Sequence, residues 1–398
     1  MRIALHTGKG GVGKTTISTT TAIAAAQAGR RTLLLSADPA HSVADVLDQP
    51  IGADPTPVRG APGLWAAQVD TRGRFEQGWS AVRSYLVDVL AARGIEAVQA
   101  EELTVLPGAE EIVALLELQT HAAGGRFDAI VLDCAPTGET LRLLSLPETL
   151  SFYADRVMGT PARLVRALAG GLTGRGGSTG PVRDALAELL ARLSQARALL
   201  TDPRVTGVRL VMTAERVVVA EARRLYTALS LHGYAVSGVV VNRLLPDEPL
   251  LAGWRRAQLA ALATVAESFG ELPRSLVPLA DQEPVGIGAL TELAGQLWGG
   301  TDPFDGPPPR VRIATEEIGE TYRLRIFLPL ADRGAVDLAR AGDDLVVTLG
   351  AERRRLALPS LLRRCTITGA LFDGDDLVVE FEVDPDRWPQ ALLAGARR

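Results

Sequence analysis

Nine residues near the start of the chain, Gly8-Lys9-Gly10-Gly11-Val12-Gly13-Lys14-Thr15-Thr16, constrain the fold more than any other stretch. They follow a short apolar run, Met1 to His6, that reads as a buried strand. After them comes an alanine-rich segment, Ile17 to Ala28, that reads as a helix ending at Gly29, where a left-handed cap carries no Cβ penalty. A second buried strand is predicted over Thr32 to Ser36. Strand, glycine turn, helix and strand form a βαβ unit, which sets its two strands parallel in one sheet.

Gly8 to Thr15 also fits G-x-x-x-x-G-K-[ST], placed after a strand and before a helix as the P-loop mechanism requires. Backbone N–H groups between Gly8 and Gly13 can close around phosphates, and the helix N-terminus adds partial positive charge. Lys14 is expected to reach the β and γ phosphates and the Thr15 hydroxyl to ligate Mg²⁺. Gly8, Lys9, Gly10, Gly11, Val12, Gly13, Lys14, Thr15 and Thr16 are therefore the candidate nucleotide-binding residues, with ATP as substrate and Mg²⁺ as cofactor.

The choice of cation sharpens this reading. Of the 42 basic residues only Lys9 and Lys14 are lysines, and both fall inside the loop. Everywhere else an arginine serves, so these two places require a compact ammonium rather than a planar fork. Asn242 is the only asparagine.

Composition excludes several alternatives. The chain has 398 residues, enough for two to three domains, and 47% of them are apolar, as in packed globular proteins. No run reaches the roughly 18 apolar residues of a spanning helix, and Met1-Arg2-Ile3 opens no signal-peptide pattern, so a cytoplasmic protein is expected. Cys134 and Cys365 lie far apart and the histidines (His6, His41, His121 and His232) are scattered, which gives no zinc site. A net charge of −5 leaves no basic footprint for nucleic acid. Arg353-Arg354-Arg355 is read as a solvated strand face.

Further buried strands are predicted at Ala129–Leu132, Val208–Met212 and Val236–Val241, alternating with helices at Val113–His121 and Ala214–Leu231. The expectation is an α/β, doubly wound parallel sheet of the P-loop NTPase type over residues 1–300. A helical insertion over about 150–203 interrupts it, with helical pieces at Ala162–Ala169 and Val182–Leu200 and a glycine-rich loop between them. Residues 301–310, rich in Gly and Pro, form a linker. From 311 to 398 the period changes to two, with strands at Tyr322–Leu328, Asp344–Leu349, Glu352–Ala357, Thr366–Phe372 and Asp376–Val383. These predict a small all-β sandwich.

A lysine at position 9 resembles the signature of the deviant Walker A ATPases. Two further stretches, Ser36-Ala37-Asp38-Pro39-Ala40-His41-Ser42 and Asp133-Cys134-Ala135-Pro136-Thr137-Gly138-Glu139-Thr140, resemble switch I and switch II of the ArsA family. That family includes arsenical pump ATPases and the ATPase that targets tail-anchored proteins to membranes. The resemblance spans roughly residues 1–300. It implies an ATP-hydrolysing homodimer in which Lys9 reaches the partner's nucleotide and Asp38 positions the attacking water. Asp133 would support Mg²⁺ through its water shell, and Pro136, Thr137 and Gly138 would form switch II. Asn242 and Pro278 would hold the adenine. The β region is similar to the α-crystallin domain of small heat-shock proteins, known at the C-terminus of some ArsA-like ATPases.

The implied function is an ATP-gated dimeric carrier of hydrophobic protein clients, including membrane proteins, held in a groove to which Leu164, Val165, Leu168, Leu186, Leu189, Leu190 and Leu193 contribute. The β region would hold clients by strand addition or brace the dimer. Alternatives are an arsenite or oxyanion pump-driving ATPase and a MinD-like membrane-positioning switch. Glu139 stands where the family commonly has histidine. The zinc-binding C-x-x-C of the eukaryotic targeting dimer is missing, and the two cysteines fall short of a metalloid-binding thiolate set.

Overall fold

A computed structural model describes residues 1–38, 42–69, 109–134, 180–306, 313–318, 321–384 and 387. The expected switch II residues Pro136, Thr137, Gly138 and Glu139 lie outside them, as does most of the expected helical insertion.

The first unit is an eight-stranded sheet of β1 (Arg2–Thr7), β2 (Thr32–Ser36), β3 (Thr56–Pro57), β4 (Leu64–Gln68), β5 (Ala129–Asp133), β6 (Thr206–Thr213), β7 (Val236–Leu244) and β8 (Arg274–Pro278). Its order is β3-β4-β2-β5-β1-β6-β7-β8. All neighbours run parallel except the short β3, which pairs antiparallel with β4. The order turns at β1, with β5 and β2 on one side and β6 and β7 on the other. In open parallel sheets the crevice at the carboxyl ends of the strands beside such a turn is where ligands bind.

Helices cover both faces because the buried strands are apolar on both sides. On one face lie α1 (Lys14–Gln27), α2 (Ser42–Leu47) and α7 (Gly286–Trp298), which bury Ala22, Ile23, Val43, Leu47, Leu290 and Ala294 with Ala4 and Leu34 of the strands. On the other lie α3 (Ala109–Ala123), α4 (Gly180–Thr201), α5 (Arg216–His232) and α6 (Ala252–Ser268), whose Leu115, Leu193, Leu225 and Val265 join Ile3, Leu5 and Val240. Strand alternation sends Ile3 and Leu5 one way and Ala4 and His6 the other. His6 meets the Thr21 hydroxyl of α1 at 3.2 Å.

The predicted helix at Val182–Leu200 is present as α4, and two of the residues expected to line the groove turn into the core instead. Leu193 is 1% exposed and Leu189 is packed against the same core, because α4 lies along α3. Both are sheet-covering core residues. Leu164, Val165, Leu168 and the side chains of Leu186 and Leu190 lie outside the described residues.

The second unit is all antiparallel. One sheet has the order β14 (Cys365–Asp373), β15 (Asp376–Val383), β10 (Thr321–Phe327), β9 (Ile313–Ile318); the other is β11 (Val336–Ala341), β12 (Asp344–Leu349), β13 (Glu352–Ala357). Tyr322, Leu324 and Ile326 alternate inward from β10 and meet Leu345, Val347, Leu356, Val379 and Phe381 in a shared core. A sandwich results, as two amphipathic sheets require.

The end of α5 enters that second core. Leu231 is fully buried among the sandwich residues, and the Thr227 hydroxyl donates to the Pro329 carbonyl at 2.7 Å. His232 lies 3.4 Å from Glu352, and Arg354 donates to the Leu231 carbonyl. This corrects the reading of Arg353-Arg354-Arg355 as a solvated face: Arg354 is 6% exposed, and Arg355 is paired with Asp344 at 2.6 Å. Period-two alternation turns the middle arginine toward α5, where helix-end carbonyls lack intrahelical partners.

Candidate nucleotide site

The P-loop is shaped by close backbone approach. A Cβ added to Gly8 would stand 2.0 Å from the Val211 carbonyl oxygen, so no other residue fits between β1 and β6. Gly13 takes φ 92°, a left-handed conformation, and directly precedes α1. The predicted helix began at Ile17. It begins instead at Lys14, because the turn at Gly13 is sharp enough to place Lys14, Thr15 and Thr16 in the first helical turn, with their N–H groups at the loop.

The two lysines take different courses. Lys14 is 7% exposed and its ammonium curls over the loop to the Lys9 carbonyl at 3.3 Å. The Lys9 side chain is 40% exposed and places Nζ 3.7 Å from Glu221 on α5. One cation is thus held over the cradle and the other is paired on α5.

β7 closes the loop from the side. The Asn242 amide donates to the Val12 carbonyl at 2.9 Å and accepts from the Arg243 N–H at 2.9 Å, while the Arg243 guanidinium donates to the Gly11 carbonyl at 2.9 Å. The second amide hydrogen of Asn242 has no hydrogen-bond acceptor among the described residues. Pro278 ends β8 beside Leu244, exposed and on the same side of the sheet. Glu221 and Arg243 were not singled out from the sequence. Arg243 follows the lone asparagine in a left-handed turn, φ 58°, and Glu221 carries no pattern of its own because only the packing of α5 brings it to Lys9.

At the ends of β2 and β5, Asp38 and Asp133 come together. Ser36 and Asp133 are register partners, and the Ala37 N–H donates to the Asp133 carbonyl at 2.9 Å. Gln68 donates to the Asp38 carbonyl at 3.4 Å. Asp133 is completely buried, and neither carboxylate oxygen has a hydrogen-bond partner. Burial pushes its pKa up to about 6, aided by the nearby Asp38 charge. The Thr15 and Ser18 hydroxyls and the Lys14 ammonium oppose this rise without closing a hydrogen bond of ordinary geometry on it. A buried carboxylate with two idle oxygens beside a threonine hydroxyl fits the water shell of a divalent cation, and Mg²⁺ characteristically keeps several waters. Among the described residues no group of three or more His, Cys, Asp or Glu side chains is placed to hold a metal ion.

Residues 1–299 match the model of the anion-transporting ATPase family. The chain belongs to the ArsA family of ATPases. Residues 319–381 match the HSP20-like domain found in ArsA. Among ArsA relatives, a putative arsenical pump-driving ATPase of Chlorobaculum tepidum is 37% identical over 96% of both chains. Putative arsenical pump-driving ATPase 1 of Aquifex aeolicus is 30% identical over 95% of this chain and 99% of its own. ATPase GET3 of Rhodotorula glutinis is 32% identical over 61% of this chain and 69% of its own. As an ArsA-family ATPase this chain hydrolyses ATP. No helix among the described residues is long and apolar enough to cross a membrane.

Proposed function

We propose that this ATPase works as a homodimeric, nucleotide-gated carrier of hydrophobic protein clients. The observation that carries the dimeric, nucleotide-gated part of the reading is the different placement of the two lysines. Lys14 lies over its own loop, whereas Lys9 is part-exposed and paired with Glu221 of α5, an arrangement that supports a role for Lys9 at a nucleotide bound by a second copy. Leaving Glu221 costs little, since a part-exposed pair of this length contributes below about 1 kcal/mol.

In this reading the P-loop N–H groups and Lys14 hold the β and γ phosphates. Thr15 and, through bound waters, Asp133 would hold Mg²⁺, which would supply positive charge against the developing charge of the phosphates. Asp38 accepts a hydrogen bond from the attacking water and aligns it. Lys9 of the partner subunit supplies positive charge at the leaving oxygen, so hydrolysis is confined to the closed dimer. Asn242 and Pro278 hold the base, and Pro136, Thr137 and Gly138 transmit the γ-phosphate state. Hydrolysis reopens the dimer and frees the client. The HSP20-like domain, docked on the end of α5, braces the ATPase unit.

The test is mass spectrometry of proteins that co-purify with Asp38→Asn in ATP, compared with the same chain in ADP. Enrichment of proteins with a terminal hydrophobic segment in ATP supports the carrier. No nucleotide-dependent client overturns it.

The names of the relatives favour a second reading, an ATPase that drives an arsenical pump. The two cysteines weigh against it. Cys134 and Cys365 are both buried, one at the end of β5 and the other in the sandwich core, so they cannot share a metalloid ion. Stimulation of turnover by arsenite would favour the pump.

A further inference from the structure

A cavity of about 670 Å³ opens at the amino ends of β1, β6 and β7, the opposite end of the sheet from the P-loop. A volume of this size is that of a small-molecule site. The ATPase unit gives the cavity Arg2, Arg209, Tyr226 and Trp298, and the sandwich gives it Phe327. Tyr226 and Phe327 meet edge to face with 6.3 Å between ring centroids, so the walls belong to both units.

Two cations stand in this cavity without an anion of their own. Arg209 leaves β6 and stacks on the Trp298 ring, its guanidinium carbon 4.4 Å from the ring centroid. Its Nη2 donates to the Pro303 carbonyl, but Nη1 is buried with no hydrogen-bond partner. The Trp298 indole N–H is likewise buried and unbonded. Arg2 is half-buried, and among the described residues its side chain has no ion pair or hydrogen bond. Burial pushes the Arg209 pKa down to about 10; the Asp302 charge opposes the fall and the Arg2 charge adds to it.

The neighbouring acids do not close the account of charge. Asp302 pairs with Arg30, and Asp305 lies 3.5 Å from the same guanidinium. Glu271 lines the cavity but is exposed. A buried donor left unbonded bears the full loss of its water, more so when charged. An acidic head group removes that cost, because a carboxylate takes two parallel N–H bonds from a guanidinium fork. Tyr226, Phe304 and Phe327 line the same cavity and offer ring faces and edges to an apolar body. A bare inorganic anion would leave that aromatic wall unused.

We propose that this cavity binds a small organic carboxylate with an apolar, ring-bearing body, its head group held by Arg209, Arg2 and the Trp298 indole. The site is separate from the nucleotide site and does not depend on the carrier reading. Because both units form its walls, an occupant strengthens the docking of the sandwich on the ATPase unit.

The experiment is calorimetric titration of the full chain, its P-loop filled with ADP and Mg²⁺, using 2-naphthoate and the uncharged 2-naphthalenemethanol as probes. Naphthoate should saturate at one per chain and bind at least about tenfold tighter than the alcohol, since hydrogen bonds to its charge separate the two. Arg209→Met should weaken naphthoate binding about tenfold or more and leave the alcohol unaffected. Arg2→Met removes no contact within the chain, so circular dichroism and ATP turnover should be unchanged while naphthoate binding falls about three- to tenfold. This second variant decides the matter if Arg209→Met fails to fold. Naphthoate that does not saturate at one per chain, that binds no tighter than the alcohol, or that binds either folded variant as it binds the unaltered chain overturns the proposal.

Discussion

The Lys9 ammonium lies 3.7 Å from the carboxylate of Glu221, on the helix whose far end docks the HSP20-like sandwich. The pair holds Lys9 against its own subunit, so engagement of a partner's nucleotide begins by breaking it. Glu221→Gln should leave ATP affinity unchanged and tighten nucleotide-dependent dimerisation by about two- to fivefold, the range of a part-exposed ion pair. Sedimentation with and without nucleotide measures this, and weaker dimerisation would count against the resting role of Glu221.

Asp133 sets a cost that the empty protein carries. Its pKa rises from 3.8 to about 6 on folding, so the folded state disfavours the charged form. Stability is therefore full below about pH 4 and falls as pH rises through about 6, to a loss of roughly 3 kcal/mol at neutral pH. Asp133→Asn should raise the first unfolding transition of nucleotide-free protein at pH 7.5 and give little gain at pH 4, while removing Mg²⁺-dependent turnover. Calorimetry at the two pH values checks the sign.

The glycines of the loop should respond unequally. Gly8→Ala drives a Cβ into the Val211 carbonyl and Gly13→Ala drives one to 2.4 Å from the Asn242 amide nitrogen, whereas a Cβ on Gly10 meets nothing within 4 Å. Gly8→Ala is expected to destabilise the fold by about 3 kcal/mol. Gly13→Ala should fold but bind ATP weakly, because it displaces Asn242. Gly10→Ala should keep near-normal stability. Denaturant unfolding with nucleotide titration separates the three.

The interdomain contact should weaken in acid. Glu352 is held below the usual carboxylate range by its hydrogen bond with His232, against the opposing effect of burial. A depressed carboxylate stabilises above its unfolded pKa and loses that contribution as pH falls through its folded one. Docking of the sandwich on α5 is thus retained at neutral pH and relaxes below about pH 4.5. Limited proteolysis of the linker across this range, with Glu352→Gln as control, should show cleavage that rises in acid for the unaltered chain and is already elevated at neutral pH for the variant.

Much of this was legible in the chain alone. The strands Thr32–Ser36, Asp344–Leu349, Glu352–Ala357 and Asp376–Val383 are found at the predicted residues, since unbroken apolar runs and period-two alternation are strong local signals. β8 was missed because Arg274–Pro278 is an edge strand, mostly exposed and ending in proline. The burial of Arg354 and of Leu193 was missed for a different reason. Each depends on which neighbour packs against it, and arginine triplets or leucine stripes look the same whether they face solvent, a client or another helix. Glu221 and Arg243 needed the tertiary fold for the same cause.

The dimer with crossed lysines is tested most directly by mixing two inactive chains. Lys9→Arg should bind nucleotide yet fail to supply its partner, and Asp38→Asn should bind and close yet fail to align water. In their mixed dimer, the site on the Lys9→Arg chain has its own Asp38 and the partner subunit's Lys9. An equimolar mixture should recover about a quarter of the unaltered turnover, one working site in each of the half of the dimers that are mixed. Turnover no greater than that of the two variants measured apart would show that Lys9 serves its own nucleotide and would contradict the ATP-gated dimer.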